Sequence, residues 1–311
     1  MEYNKTIRNP IIDIWPTLNR VQATLNLSTS EMAELLEMSE KLFLRFRNER
    51  RTISLYSALA FATRMNLTLS ALYANRIDFG ILARHYFGDT NYLPKRYTIG
   101  AFSKKRTVVN FLNYVQSARG TAFRLELLRH FQLTEAAFSD TESPINILFL
   151  TELLEFLRTS GFDDEDFFHI GTNTYFTNRE SPIALALSSL KTCESLFERI
   201  NSELFVHFDR NTHYRLIRLE KDGCIKEATP NEEVCDLLKI TKPGNRDGCI
   251  QKAGTISMLP VYLGFSPAQV METSCIHEGD SSCRFEVSYP PGVAPKLRAL
   301  RMPKFQKAAR A

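Results

Sequence analysis

Apolar residues recur at three- and four-residue steps from Thr17 to Tyr73, the period of a helix with one buried face. The pattern breaks into short helices with tight joins. The first covers about Thr17–Leu27, with Leu18, Val21 and Leu25 on one side. Ser28 precedes Glu31 by three residues, a capping box that opens a second helix over EMAELLEM. Ser39 is placed to cap a third, EKLFLRFRNER. SLYSALAFATRMN and LTLSALY supply a fourth and a fifth.

From residue 79 the pattern loosens. IDFGILARHYFGDTNYLPKRYTIG carries Gly, Pro and Asn punctuation and reads as a linker with packed aromatics. Helical periodicity returns in TVVNFLNYVQSARGTAFRLELLRHF and in INILFLTELLEFLRTSG, where Gly161 reads as the stop. DDEDFFHIGTNTYFTNRESP is polar and turn-rich after a solvated, acidic helix start. Next comes one amphipathic helix, SPIALALSSLKTCESLFERIN. ELFVHFD and HYRLIRLEKD read as a hairpin, and NEEVCDLLKI and CIQKAGTISMLPVYLG as helices. QVMETSCIH and CRFEVSY read as closing strands.

The pattern predicts an α+β protein. An all-α domain occupies 1–78, a helical connector 79–180, an α+β domain with an antiparallel sheet 181–290, and a basic tail 291–311.

Composition changes this picture little. Hydrophobic residues make up 44% and charged residues 24%, which excludes extended disorder, and a net charge of +4 does not by itself imply nucleic acid. No apolar run approaches the ~20 residues that span a bilayer. The N-terminus lacks the pattern of a secretory leader, so a cytoplasmic location is expected. There thiols stay reduced, and the six cysteines read as metal ligands or small buried hydrophobes.

The all-α domain carries the first candidate chemistry. Two short helices joined by a few residues, the second basic, fit a helix-turn-helix. LSTSEMAELLEMSEKLFLRFRNERRT resembles the phage-repressor (lambda-Cro-like) family, with Ala33 at the small position where two helices cross and Leu36, Phe43 and Phe46 at buried positions. Glu37 and Glu49 stand where that family often has Gly. In such a motif the second helix reads base edges, which assigns Glu40, Lys41 and Arg45 to reading. Arg47, Arg50 and Arg51 are assigned to phosphates. The expected partner is double-stranded DNA, bound by a homodimer on paired half-sites.

The second chemistry lies between Cys249 and Cys283, ordered C-x22-E-x2-C-x7-C with Glu272 and Cys275. Three thiolates and a carboxylate can close a tetrahedral zinc site. Strand alternation puts Glu272 and Cys275 on opposite faces, so a shared ion needs a bulge or bend, and His277 offers a rival ligand. The run of Cys249, Gly254, Gly264, Glu272, Cys275, Gly279-Asp280, Cys283 and Phe285 resembles the 4-vinyl-reductase-type small-molecule-binding domain. That domain also forms the sensory part of phenol- and toluene-responsive transcription activators. The resemblance implies zinc held by Cys249, Glu272, Cys275 and Cys283, with a structural role because no open position remains.

The resemblance also implies a pocket for a small apolar or aromatic effector. Phe205, His207, Tyr214, Tyr262 and Phe265 are its candidate walls. The combined expectation is a ligand-responsive transcriptional regulator that is not an enzyme and has no membrane partner. The rival readings are a reductase-like or tetrapyrrole-handling enzyme and a protein-interaction scaffold. Against the enzyme stands the lack of a glycine-rich dinucleotide loop or a nucleophile–base pair.

Overall fold

The computed structural model describes residues 13–205, 209–289 and 306–307. The chain divides into two compact units. One comprises residues 1–93 and 121–139, the other 94–120 and 140–311. The stretch 79–180, expected as a connector, is therefore shared between them. Its long helix, Lys105–His130, breaks at Gly120 (φ 84°, ψ 171°), where the chain passes from one unit to the other.

The first unit opens with six helices: α1 (Trp15–Leu25), α2 (Thr29–Leu35), α3 (Glu40–Asn48), α4 (Leu55–Arg64), α5 (Leu69–Tyr73) and α6 (Phe79–Tyr86). Side chains of Ser28, Ser39, Ser54, Thr68 and Asp78 cap α2 to α6, and Ser28 forms the full capping box with Glu31. Each cap satisfies an orphan N–H and fixes where a helix begins. The α6 helix corrects the linker reading of that stretch. Asp78 accepts from the amides of both Gly80 and Ile81, a start signal the aromatic-rich sequence obscured.

One core joins these helices. Leu18, Met32, Ala33, Leu36, Phe43, Phe61 and Leu72 are buried in it, with Phe46 partly buried at its edge. Residues 121–139 complete the unit. Asn66 Nδ2 donates to the Leu133 carbonyl at 3.0 Å, and the Asp78 amide donates to Gln132 Oε1 at 2.6 Å.

The second unit holds the long helix α7 (Lys105–His130) as far as Gly120, with a two-residue ladder of β1 (Ser103–Lys104) and β2 (Pro144–Ile145). Helices α8 (Ile147–Thr159), α9 (Asp164–Asn178), α10 (Pro182–Ser188) and α11 (Cys193–Arg199) follow. The turn-rich reading after the acidic start is corrected here, since α9 runs 15 residues from an Asp163 cap. The helix expected over 181–201 is in fact the pair α10 and α11, because Thr192 caps a fresh start.

The sheet orders β3 (Thr212–Leu219), β4 (Gly223–Pro230), β6 (Cys283–Ser288), β5 (Gln269–Ser274) and β7 (Gln306–Lys307). All pairs are antiparallel except β5 with β7. The hairpin is β3–β4. The run expected as its first strand, ELFVHFD, opens instead within the helical stretch Ile200–Leu204, and its residues 206–208 lie outside the described residues. Between β4 and β6 lie α12 (Glu232–Leu238) and α13 (Arg246–Ser257). The protein is thus α+β with a largely antiparallel sheet.

Helix α13 is pressed against α9 at a glycine crossing. A Cβ on Gly254 would sit 2.1 Å from the Phe168 carbonyl oxygen, and one on Gly171 would sit 2.0 Å from that of Gln251. Only glycine allows backbones to approach this closely. The crossing holds α13 in place over β5 and β6, and with it Cys249.

Candidate metal centre and cavity

Asn245 caps α13 by accepting from the Gly248 amide, which places Cys249 in the helix's first turn. Cys283 begins β6, opposite Ala228 of β4. Cys275 follows the end of β5. Its position is set by the 275–283 loop: its amide donates to Asp280 Oδ2 at 2.7 Å, and its carbonyl accepts from the amides of Glu278 and Asp280. Gly279, at φ 104°, makes that return possible.

Glu272 lies on β5, and the β5–β6 register shifts between Glu272 and Ser274. This irregularity is the bend that a shared ion requires, because it removes the strict alternation separating Glu272 from Cys275. Ligand atoms of Cys249, Glu272, Cys275 and Cys283 all lie within 4.8 Å of one another, and all four residues are buried. The group is able to hold a metal ion. His277 is not part of it; it is half-buried and lines the cavity described below.

The donor set fits a soft divalent cation. The sulfurs of Cys249 and Cys283 are 3.4 Å apart. One carboxylate oxygen of Glu272, Oε2, is 2.9 Å from Arg246 Nη1, whereas Oε1 is buried without a hydrogen-bond partner among the described residues. A buried orphan oxygen beside three sulfurs is costly unless something positive completes it. Burial pushes the Glu272 carboxyl up to about 8, against the pull of Arg246. Cys249 is pushed well up, first by its hydrogen bond to Cys275. Cys283 is pushed down, first by its hydrogen bond with Cys249. Without a cation the cluster resists accumulating negative charge, and a metal reverses that because coordinated thiols are deprotonated outright.

Beside the cluster the second unit holds a cavity of about 240 Å3, and Cys249 and Cys283 form part of its wall. Phe205, Tyr214 and Tyr262, three of the candidate pocket walls, are among its lining residues. Phe265 is half-buried and is not in the lining, and His207 falls outside the described residues. The rings of Phe205 and Tyr214 stack with centroids 4.3 Å apart, and Tyr175 meets Tyr262 edge-on at 5.0 Å.

Sequence reasoning missed the cavity's charged groups. Lys252 of α13 bonds Thr212 Oγ1 at 3.0 Å and lies 3.5 Å from Asp209 Oδ2. Tyr214 donates its hydroxyl to the same Asp209. Lys226 of β4 is 1% exposed. The available signal was the spacing Cys224, Lys226, Ala228, three alternate positions that β4 turns to one buried face.

In the first unit, Glu40, Lys41, Arg45, Arg50 and Arg51 are exposed and Arg47 is half-buried. Arg47 Nη1 lies 3.5 Å from Gln22 Oε1, Arg50 pairs with Asp13 at 3.4 Å, and Arg51 pairs with Glu49. The join between α2 and α3 turns through Glu37 at φ 53°. The next left-handed residue, after α3, is Arg50 (φ 47°), one position beyond Glu49.

No family model matches the chain, and no curated protein matches it. Among solved structures it is similar to an unliganded Fe(II) H-NOX protein from K. algicida. That match has 11% identity and a TM-score of 0.46, and it covers 62% of this chain and 100% of that one. An H-NOX protein from S. oneidensis in the Fe(II) ligation state matches at 12% identity and TM-score 0.42, covering 62% of this chain and 98% of that one. At this level the neighbours assign neither ligand nor chemistry to this chain.

Proposed function

We propose that this protein is a DNA-binding transcriptional regulator whose second unit senses a small apolar or aromatic molecule. The observation that carries the reading is the aromatic-walled cavity sharing a wall with a preassembled Cys3Glu cluster. Concave sites lined by apolar and aromatic side chains with a few convergent polar groups are the usual form of small-molecule sites. The capped α2–turn–α3 unit, with Lys41 and Arg45 exposed on α3, supports the DNA-binding half of the proposal.

Zinc suits the cluster best, since three thiolates and one carboxylate match its preference for tetrahedral sulfur-rich sites. Cys249, Glu272, Cys275 and Cys283 would hold it. With four protein ligands it supplies cross-linking and no open position for chemistry, tying the start of α13 to the β5–β6 hairpin. Arg246 orients Glu272 from behind, as outer-shell partners of metal ligands commonly do.

The protein acts in this reading as a cytoplasmic homodimer and a sensor without turnover. An effector changes DNA binding only by preferring one of two states of the dimer, because a ligand of equal affinity for both shifts nothing. The test is a binding titration of the purified chain against duplex DNA from its own regulatory region at low and moderate salt. Specific, salt-dependent binding that responds to aromatic compounds supports the reading. Absence of duplex binding at low salt overturns it.

A further inference from the structure

We propose that the ligand of this cavity is a monoanion, an aromatic carboxylate whose charged end pairs with Lys226. The inference rests on the sensor reading of the same cavity and narrows its ligand class.

Lys226 sits on the inner face of β4 between Cys224 and Ala228, where strand alternation calls for an apolar side chain. Its Nζ lies 3.2 Å from the centroid of the Phe205 ring and 4.2 Å from that of Tyr214. Those ring faces stabilise an ammonium without neutralising it. No carboxylate pairs with it among the described residues, although buried lysines are otherwise found paired.

The cavity's other cations have polar partners: Lys104 donates to the Glu142 carbonyl at 2.9 Å. Lys252 has Asp209, which also accepts from Tyr214 and Asn211. Arg106 has Glu142 and a hydrogen bond to Asn178. Among the described residues Lys226 is thus the fully buried lysine of the lining without a carboxylate partner, and a group that completes it as an ammonium carries one negative charge. Burial first, and then the nearby Lys252 ammonium, pushes the Lys226 amine well below its ordinary value. A carboxylate seated against Nζ favours the charged form and works against both.

Size and wall chemistry set the rest of the ligand. A cavity of about 150 Å3 accepts benzene, so one of about 240 Å3 holds a substituted single ring. Tyr262 and Tyr175 offer it further aromatic surface.

The experiment measures binding of phenylacetate, benzoate and their primary amides to the full-length protein near pH 7 by calorimetry. The unmodified chain is compared with Lys226→Met. The expected result is that the acids bind on the order of tenfold more tightly than the amides in the unmodified protein. Lys226→Met should lose that preference while binding the amides as well or better. Amides binding as tightly as acids to the unmodified protein overturn the anion inference and leave the sensor reading intact. Failure of every acid and amide to bind at millimolar concentration overturns both. The acid–amide comparison needs no variant, so it decides the matter even where Lys226→Met does not fold.

Discussion

Cys249 and Cys283 bring their sulfurs to 3.4 Å from opposite kinds of element, one in the first turn of a helix and the other on the first residue of a strand. Neither element alone fixes that distance. It follows from the α9–α13 glycine crossing on one side and the β4–β6 register on the other. The cluster is therefore a readout of the folded second unit, and any metal it held would link its affinity to folding.

The first prediction concerns that link. Native mass spectrometry of the purified chain should show one zinc per polypeptide. Cys275→Ser should lose the metal and a large share of the second unit's stability, on the order of 3–5 kcal/mol or about 10 °C in Tm. A variant that keeps both its zinc and its melting temperature would remove the structural-clamp reading.

The glycine crossing gives a second. A methyl at Gly254 would sit 2.1 Å from a backbone oxygen that cannot rotate away, so Gly254→Ala forces α9 and α13 apart. Overpacking of this kind costs about 1–3 kcal/mol or more. Chemical denaturation should show a lower midpoint, and metal affinity should fall in parallel because Cys249 moves with α13. Gly248→Ala is the control, since its Cβ meets nothing nearer than 3.5 Å.

How much of this was legible in the sequence depended on whether the signal was local. The caps at Ser28 and Ser39 are local, and their helices begin where expected. The left-handed turn was harder, because Glu37 takes φ 53° without being glycine. Arg64 supports it there by donating to Glu37 and to the Glu34 carbonyl. The spacing from Cys249 to Cys283 pointed to the cluster. Only the β5 register shift, a cross-strand property, shows how Glu272 and Cys275 share it. Strand β4 escaped notice for a related reason. Lys226 and Glu227 interrupt an otherwise apolar run, and each is accommodated by distant partners: the rings of Phe205 and Tyr214 for one, Arg215 and Arg284 for the other.

Glu227 yields a prediction about acid. It is buried between β3 and β6, accepting from Arg215, Arg284 and Ser282. Those donors, Arg215 foremost, hold its carboxyl down to about 2 from the ordinary 4.5. A carboxylate with a lowered folded value contributes stability above its unfolded value and loses it as pH falls toward the folded one. The second unit should therefore lose stability progressively from about pH 4.5 to about pH 2. Glu227→Gln should be less stable than the parent at pH 7, with the gap narrowing through that window. Thermal melts at half-unit pH steps would show it, and a gap that stays constant would count against the ion-pair account.

The last prediction separates reading from holding on α3. Lys41 and Arg45 stand exposed on the helix, while Arg50 and Arg51 lie just past its end and engage Asp13 and Glu49 in the free protein. If α3 enters the major groove, the two pairs should fail differently. Replacing Arg50 and Arg51 with Ala leaves phosphates without their cations, so affinity falls on every duplex. The slope of log K against log salt then shrinks by about 0.9 for each phosphate no longer neutralised. Replacing Lys41 or Arg45 with Ala removes hydrogen bonds to bases, so specific binding weakens by about 1–3 kcal/mol with little change on unrelated duplexes. Surface ion pairs such as Arg50–Asp13 are worth little in the free protein, so breaking them for phosphate is not a barrier. Anisotropy titrations on a cognate and a scrambled duplex at several salt concentrations measure both effects. Equal losses from the two pairs on both duplexes would mean that the basic face binds DNA only by charge and that α3 is not a reading helix.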